Sequence, residues 1–352
     1  MLFFAVSSPC RVGVTLMTLR CSWLWLIAAV LASASSALYA QTVTTFDVPG
    51  AADTFPQSIN TSGQVTGYYR DHVTFQPHGF VRDANGILTT FDVADSIYTM
   101  PQAINVEGQI TGTYQDAASE LHGFLRQPDG GITSFDGVGS NSTIARAISP
   151  GGLITGYYQD VAGTHGFLRK RDGTMISFDA PGNFPITFPQ AINRKGQITG
   201  WNFDQPGASG RGFVREVDGT FSRPFDFETY PAAINAEGEV TGYWGDSSNR
   251  GFLSQPDGNE VFFDVVNSSI SAIPTAIDHA GRIAGWYYDF DTNCLCGFLR
   301  KRDGTFTTFS ASDSSSQTFP TAMNGHQIAG YYTDENGNRH GFVRDSQNTD
   351  AH

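Results

Sequence analysis

The feature that most constrains this chain is a unit of roughly 44 residues that recurs seven times. Its pattern is Phe-Asp, then Pro-x-Ala-Ile-Asn-x-x-Gly-Gln-Ile-Thr-Gly-Tyr-Tyr-x-Asp, then His-Gly-Phe-Leu-Arg, then Asp-Gly. The glycine of the Thr-Gly or Ala-Gly step falls at Gly67, Gly112, Gly156, Gly200, Gly242, Gly285 and Gly330. A period of this length belongs to arrays in which no single unit buries its own apolar face. The two ends are out of phase: Phe46-Asp47 precedes the first unit, and no Phe-Asp follows Gly341-Phe342 in the last.

Each unit holds four short apolar or alternating runs separated by turn signals, and none has a helical period. In the second unit these runs are Gln102 to Asn105, Gln109 to Tyr114, Gly123 to Arg126 and Ile132 to Asp136, taken as strands a, b, c and d. The a–b turn, as in Asn60 to Gly63 or Asn105 to Gly108, opens on an Asx side chain and closes on a glycine. The c–d turn is an equally tight Asp-Gly, as at Asp172-Gly173 and Asp303-Gly304. The expected fold is therefore all-β: a seven-bladed β-propeller of four-stranded antiparallel blades, closed by an N-terminal strand that completes the last blade. A solenoid is the competitor, but it needs polar capping repeats, and the offset Phe46-Asp47 fits ring closure better. Residues 42–49 should pair with Gly341 to Arg344.

Residues 1–40 read as an export signal. Arg11 and Arg20 precede an apolar run from Trp23 to Leu31, and small residues follow up to Ala40. The run is too short to span a bilayer. The expectation is a secreted protein, extracellular or periplasmic and monomeric, with one domain over residues 41–346 and a disordered tail at 347–352. Of four cysteines, processing would leave Cys294 and Cys296, so disulfides do not frame the fold. A bond between residues two apart in an extended segment lies near the limit of disulfide geometry, so these read as two thiols, free or locally paired, in one loop. Removing Arg11 and Arg20 from the 21 bases leaves 19 against 34 acids, a net charge of −15. Such a surplus excludes nucleic acid as a natural partner.

The a–b and c–d turns are short, whereas the d–a and b–c loops on the other side vary, so binding is expected on that second face. Every unit has an Asp just after the aromatic pair ending strand b: Asp71, Asp116, Asp160, Asp204, Asp246, Asp289 and Asp334. Before the Gly-Phe of strand c stand His78, His122, His165, Arg211, Arg250, Cys296 and His340. An Asp opening a loop and a His or Arg closing it make a charge-assisted clamp, so these residues are read as structural. Single acids one unit apart do not converge as Ca²⁺ needs; no metal site and no cofactor is expected, and Ca²⁺ binding should be weak. The ring of Asp should lie on the long-loop face, with Arg82, Arg126, Arg169, Arg215, Arg300 and Arg344 towards the opposite one. A ligand on the acidic face should be neutral or basic.

The aromatic pair is Tyr68-Tyr69, Thr113-Tyr114, Tyr157-Tyr158, Trp201-Asn202, Tyr243-Trp244, Trp286-Tyr287 and Tyr331-Tyr332. One member of each should be inter-blade core and the other free to meet a sugar ring or a protein. Tyr69, Tyr114, Tyr158, Trp244, Tyr287 and Tyr332, with Gln57, Gln102, Arg146 and Gln190 of strand a, are the candidate ligand contacts. There is no Gly-x-Ser-x-Gly elbow, no phosphate loop and no His-Glu-x-x-His, so no catalytic residue is assigned.

The string Ala103 to Gly112, followed by His122 to Leu125, resembles the bacterial extracellular repeats named for a His-Ala-Phe motif (the HAF repeat family). Glycine replaces the middle alanine in all seven units, and the His is kept in four. The resemblance covers residues 42–346 and implies a secreted bacterial repeat protein without implying an activity. The Asp and His placement is similar in role to the hydrogen-bonded pairs that brace WD-repeat propellers. The leading functional expectation is a non-enzymatic module binding carbohydrate or protein. A polysaccharide-active hydrolase or lyase at the channel mouth is the alternative.

Overall fold

The computed structural model describes residues 42–203, 209–222, 225, 228–245, 249–265, 272–312 and 317–346. The expected export signal and tail lie outside them. Every named element is a β-strand, and no described helix is long and apolar enough to cross a membrane. The second unit shows the pattern: Tyr98–Ile104, Ile110–Gln115, Leu121–Arg126 and Ile132–Phe135 pair in order as an antiparallel meander. Strand a begins earlier than the alternation suggests, because pairing resumes beyond a bulge between Pro101 and Ala103 and runs back to Tyr98 opposite Gln115.

Hydrogen bonding divides the strands into six sheets where seven separate ones were expected. Four contain four strands each. The second and third units are fused into one eight-stranded sheet by a single parallel pair, Ser142 with Leu121. Among the described residues the fourth unit has three strands and, beyond them, the bridge Arg215–Phe221. There Ser222 and Phe225 donate to Val214 and Gly212. The N-terminal strand Val43–Phe46 pairs antiparallel with Arg339–Asp345, Val43 opposite Arg344 and Phe46 opposite Gly341.

The bulge explains the recurring glycine of strand b. A Cβ on Gly112 would sit 2.2 Å from the Met100 carbonyl oxygen, and one on Gly67 2.0 Å from that of Phe55. The bulged strand a presses its backbone onto strand b, and only glycine leaves room.

The core lies between units. Phe80, Phe124, Phe167, Phe252, Phe298 and Phe342 of strand c are fully buried. Val48, Ile59, Val65 and Phe80 pack with Ala329 and Val343 of the last unit. Across each outer seam an Arg of strand c lies over the Phe of the preceding strand d: Arg126 over Phe91 at 4.7 Å, Arg300 over Phe263 at 4.9 Å and Arg344 over Phe309 at 4.1 Å. Arg82 meets Phe46 of the N-terminal strand in the same way, at 5.0 Å. Each such stack is worth ~1 kcal/mol, more when desolvated. Arg344 is buried, which lowers its pKa to about 10. The fifth unit has Ser254 at this position, a buried hydroxyl without a partner.

On the inner side, the Asx residue of the a–b turn has two roles. Asn60 Oδ1 accepts the backbone N–H groups of Ser62 and Gln64, which closes its own turn. Its Nδ2 donates to Asn105 O of the next unit at 2.9 Å. Asn105 donates to Ser149 O (3.5 Å), Asn193 to Asn235 O (2.9 Å) and Asn235 to Asp278 O (3.1 Å). Asp278 has no donor, and Arg282, held by its carboxylate, reaches Gly325 O instead at 2.6 Å. Asn324 of the last unit donates to Asn60 O of the first at 2.8 Å. These turns surround one cavity of about 250 Å³, lined among others by Ile59, Ile104, Ile148, Asn235, Ile277 and Met323.

Candidate functional site

The long-loop side is built on the recurring Asp and His. In four units an imidazole lies between two carboxylates. His78 Nδ1 is 2.9 Å from Asp92 and its Nε2 3.3 Å from Asp71. His165 lies 2.8 Å from Asp179 and 3.2 Å from Asp160, and His340 2.9 Å from Asp47 and 3.4 Å from Asp334. His122 is 2.9 Å from Asp136, while Asp116 stands 3.5 Å away. The Asp after strand b closes its own loop as well: Asp71 Oδ1 accepts from Val73 and Thr74, Asp160 Oδ1 from Ala162 and Gly163, and, in the sixth unit, Asp289 Oδ1 from Asp291. In the fifth unit Arg250 Nε takes the role of the imidazole, 3.1 Å from Asp264. Asp204 and Asp246 lie outside the described residues.

These contacts shift the titrations. Hydrogen bonds from the Thr74 hydroxyl and N–H hold Asp71 far below the usual carboxylate range. Asp116 and Asp160 are lowered chiefly by the backbone N–H groups of Glu120 and Ala162. For His122 and His340, partial burial opposes the charged form, but the hydrogen bonds and charges of their two carboxylates outweigh it and raise the pKa.

The sequence-derived aromatic candidates belong to this clamp. Tyr69, Tyr114, Tyr158 and Tyr332 lie ring to ring with His78, His122, His165 and His340, centroids 5.0–5.3 Å apart. The Tyr158 hydroxyl bonds Ser177 of strand d at 2.8 Å. Tyr287 is buried, and Trp244 packs on Phe262. The structure therefore gives all six to the outer half of the blade. The other member of each pair behaves differently. Tyr157, Phe188, Trp201, Tyr230 and Tyr243 form a run of ring contacts across three units, with centroids 4.3–5.6 Å apart. A second run joins Trp286, Phe319, Tyr331, Phe55 and Tyr68 across the sixth, seventh and first units, at 4.8–5.7 Å. All but Phe55 are half-buried. The register carried the signal: Tyr69 faces His78 directly, whereas Tyr68 faces Gly79, whose missing side chain leaves that face of the blade open.

Gln57, Gln102, Arg146 and Gln190 occupy the bulge positions of strand a in units one to four, and all are half-buried. At the same position Thr275 and Thr321 donate to Pro320 O and Pro56 O of the next unit, both at 2.9 Å, so it faces the seam between innermost strands. Arg146 lies 5.8 Å from the Tyr157 ring centroid, and its Nε is buried without a hydrogen bond.

One cluster lies outside the repeated pattern. Asp53 is buried where the last unit meets the first, with Arg70 and Arg339 each 3.7 Å from its carboxylate and stacked on Phe55. Two guanidiniums on one carboxylate leave a local positive charge on a face expected to be acidic throughout. The tight-turn side carries the strand-c arginines, whose guanidinium groups donate to the next carbonyl, as Arg82 does to Asp83 O at 3.3 Å. Cys294 and Cys296 are joined as a disulfide, Cα atoms 6.0 Å apart, with Cys296 at the imidazole position of its unit.

Four-stranded antiparallel meanders repeated in this way define a β-propeller. No family model matches the chain, and no curated protein matches its sequence. Solved structures do. Virginiamycin B lyase from Staphylococcus aureus aligns with a TM-score of 0.59 at 13% identity, over 86% of this chain and 99% of that one. The β-propeller domain of the trilobed protease from Pyrococcus furiosus, described as an open velcro, aligns with a TM-score of 0.62 at 11% identity, over 84% and 95%. A puromycin hydrolase aligns at 0.53 and 13%, over 87% and 57%. At such identities the likeness establishes the propeller fold and nothing finer.

Proposed function

We propose that the chain is an exported, non-enzymatic binding module, a seven-bladed propeller closed by its N-terminal strand, which holds a carbohydrate at the long-loop end of its axis. The observation that carries the ligand class is the two runs of half-buried rings, Tyr157 to Tyr243 and Trp286 to Tyr68. Flat aromatic faces at the first position of the pair offer stacking surface to sugar rings, and the amides of Gln57, Gln102 and Gln190 offer donors and acceptors to hydroxyls. Seven blades and closure are supported by the pairing of Val43–Phe46 with the last unit, by the Asn324 to Asn60 bond, and by a cavity that draws on six units. Export is supported by the composition of residues 1–40, and the HAF-type string favours a bacterial secreted protein.

A polysaccharide-active hydrolase or lyase is the weaker reading. Its acid and base would come from Asp and His, and those are spread over four clamps, one to a unit, rather than gathered in one unit. Glycan-array binding of the full chain, followed by calorimetry on the best sugar and a cleavage screen, separates the two. Saturable binding without cleavage is expected, and Trp201→Ala should weaken it at least ~10-fold, with a melting curve showing that the variant remains folded at the assay temperature. Affinity untouched by Trp201→Ala and by Tyr243→Ala would overturn the assignment. Binding of proteins but no glycans would replace the ligand class.

A further inference from the structure

The four Asp-His-Asp clamps are not equivalent, and the second unit departs from the rest in a way that suits a metal ion. In the other three, Nε2 of the imidazole is within hydrogen-bonding distance of the loop Asp: 3.3 Å at His78, 3.2 Å at His165 and 3.4 Å at His340. In those loops that Asp also bonds the loop, Asp71 Oδ2 taking the Thr74 hydroxyl and Asp334 Oδ2 the amide of Asn338 at 3.1 Å. In the second unit the contact is 3.5 Å. Asp116 Oδ1 is fixed by the N–H groups of Ala118 and Glu120, both at 2.9 Å, and Oδ2 turns to the imidazole. Glu120, two residues before His122, adds a carboxylate found in no other clamp: the matching residues are Gln76, Gly163 and Asn338. One donor atom each from Asp116, Glu120 and His122 lies within 4.8 Å of the others.

We propose that Asp116, Glu120 and His122 form a binding site for a single Zn²⁺ or similar divalent transition-metal ion. Zinc bonds to imidazole nitrogen and carboxylate oxygen near 2.1 Å, which places neighbouring tetrahedral ligands about 3.4 Å apart. The His122–Asp116 edge already has that length, and Glu120 is exposed and free to swing the remaining distance. Asp136, 2.9 Å from Nδ1, holds the imidazole with Nδ1–H outward and directs the Nε2 lone pair at the two carboxylates. Without a proton or a metal there, that lone pair faces two anions, so the site demands a cation. The nitrogen donor selects transition metals over Ca²⁺, and the fourth corner is left to water. The inference is independent of the carbohydrate reading.

Titration of the metal-free, untagged full chain with ZnCl₂ by calorimetry, alongside CaCl₂, tests it. One saturable zinc equivalent is expected, with Ca²⁺ binding weakly and without stoichiometry. Glu120→Ala and His122→Ala should each weaken zinc at least ~10-fold, and Asp136→Asn by ~10–100-fold through the freed imidazole. Glu120 is exposed, so its variant keeps the fold, and a melting curve verifies this. No saturable zinc, or a zinc equivalent that survives both Glu120→Ala and His122→Ala, would overturn the site.

Discussion

Replacing Phe46 by alanine measures what the N-terminal strand contributes. The ring is half-buried, so its transfer from water is worth about 1 kcal/mol. It meets Phe80 edge to face at 6.1 Å, adding about 1 kcal/mol. It also lies 5.0 Å under the Arg82 guanidinium, adding ~1 kcal/mol in that partly desolvated seam. The total, about 3 kcal/mol, spread over a melting entropy of roughly 0.6 kcal/mol/K for a domain of this size, lowers Tm by ~5 °C. Phe91→Ala is the internal standard. Phe91 makes the same contacts with Phe124 and Arg126, but from a strand joined to its own sheet by a tight turn. Calorimetric scans of both variants should show equal losses, and deleting residues 41–49 should remove most of the stability by exposing a strand edge. A Phe46→Ala protein melting within 1 °C of the parent, beside a Phe91→Ala protein that has dropped by ~5 °C, would refute the placement of the strand.

Stability should pass through a maximum on the mildly acidic side of neutrality. His122 and His340 have raised folded pKa values, so their contribution is complete below the ordinary histidine value of 6.5 and is lost as pH climbs through the raised values. Asp71, Asp116, Asp160 and Asp334 are lowered, so theirs is present above the ordinary 3.8 and lost as pH falls through the lowered values. A Tm–pH curve flat from the plateau through pH 9 would contradict the clamps. Gly112→Ala should cost more than ~4 kcal/mol, because its Cβ meets the Met100 carbonyl oxygen at 2.2 Å, and circular dichroism should show little folded protein. Gly131→Ala, whose nearest neighbour is the Asp129 side chain at 3.3 Å, should stay within ~0.5 kcal/mol.

The strands were legible because their ends are marked by chemistry that acts locally. Asn60 and Asp83 close their turns with their own side-chain oxygens, and Gly63 and Gly86 adopt the left-handed conformation beside them. The offset of Phe46-Asp47 pointed to a partner strand far along the chain because a missing strand d leaves an edge that must be filled. The binding surface was less legible. Alternation puts Tyr68 and Tyr69 on opposite faces, but it does not say which face a blade turns towards its own outer strands. That choice depends on the residue opposite in strand c, imidazole or glycine, and so on a register that only pairing establishes. The Asp53, Arg70 and Arg339 cluster joins residues 286 apart in sequence, and no periodic signal points to it. Six separate sheets in place of seven follow from the Ser142–Leu121 pair, which does not disturb the repeat.

A chain of equal links shares strain evenly, and this one has an unequal link. Between the fourth and fifth units the guanidinium that elsewhere rests on a phenylalanine is replaced by the short side chain of Ser254, its hydroxyl buried and unanswered. The described part of the strand it would have gripped meets its neighbour at the bridge Arg215–Phe221. Thermal motion collects where stiffness is least, so amide hydrogen exchange should be fastest along this seam.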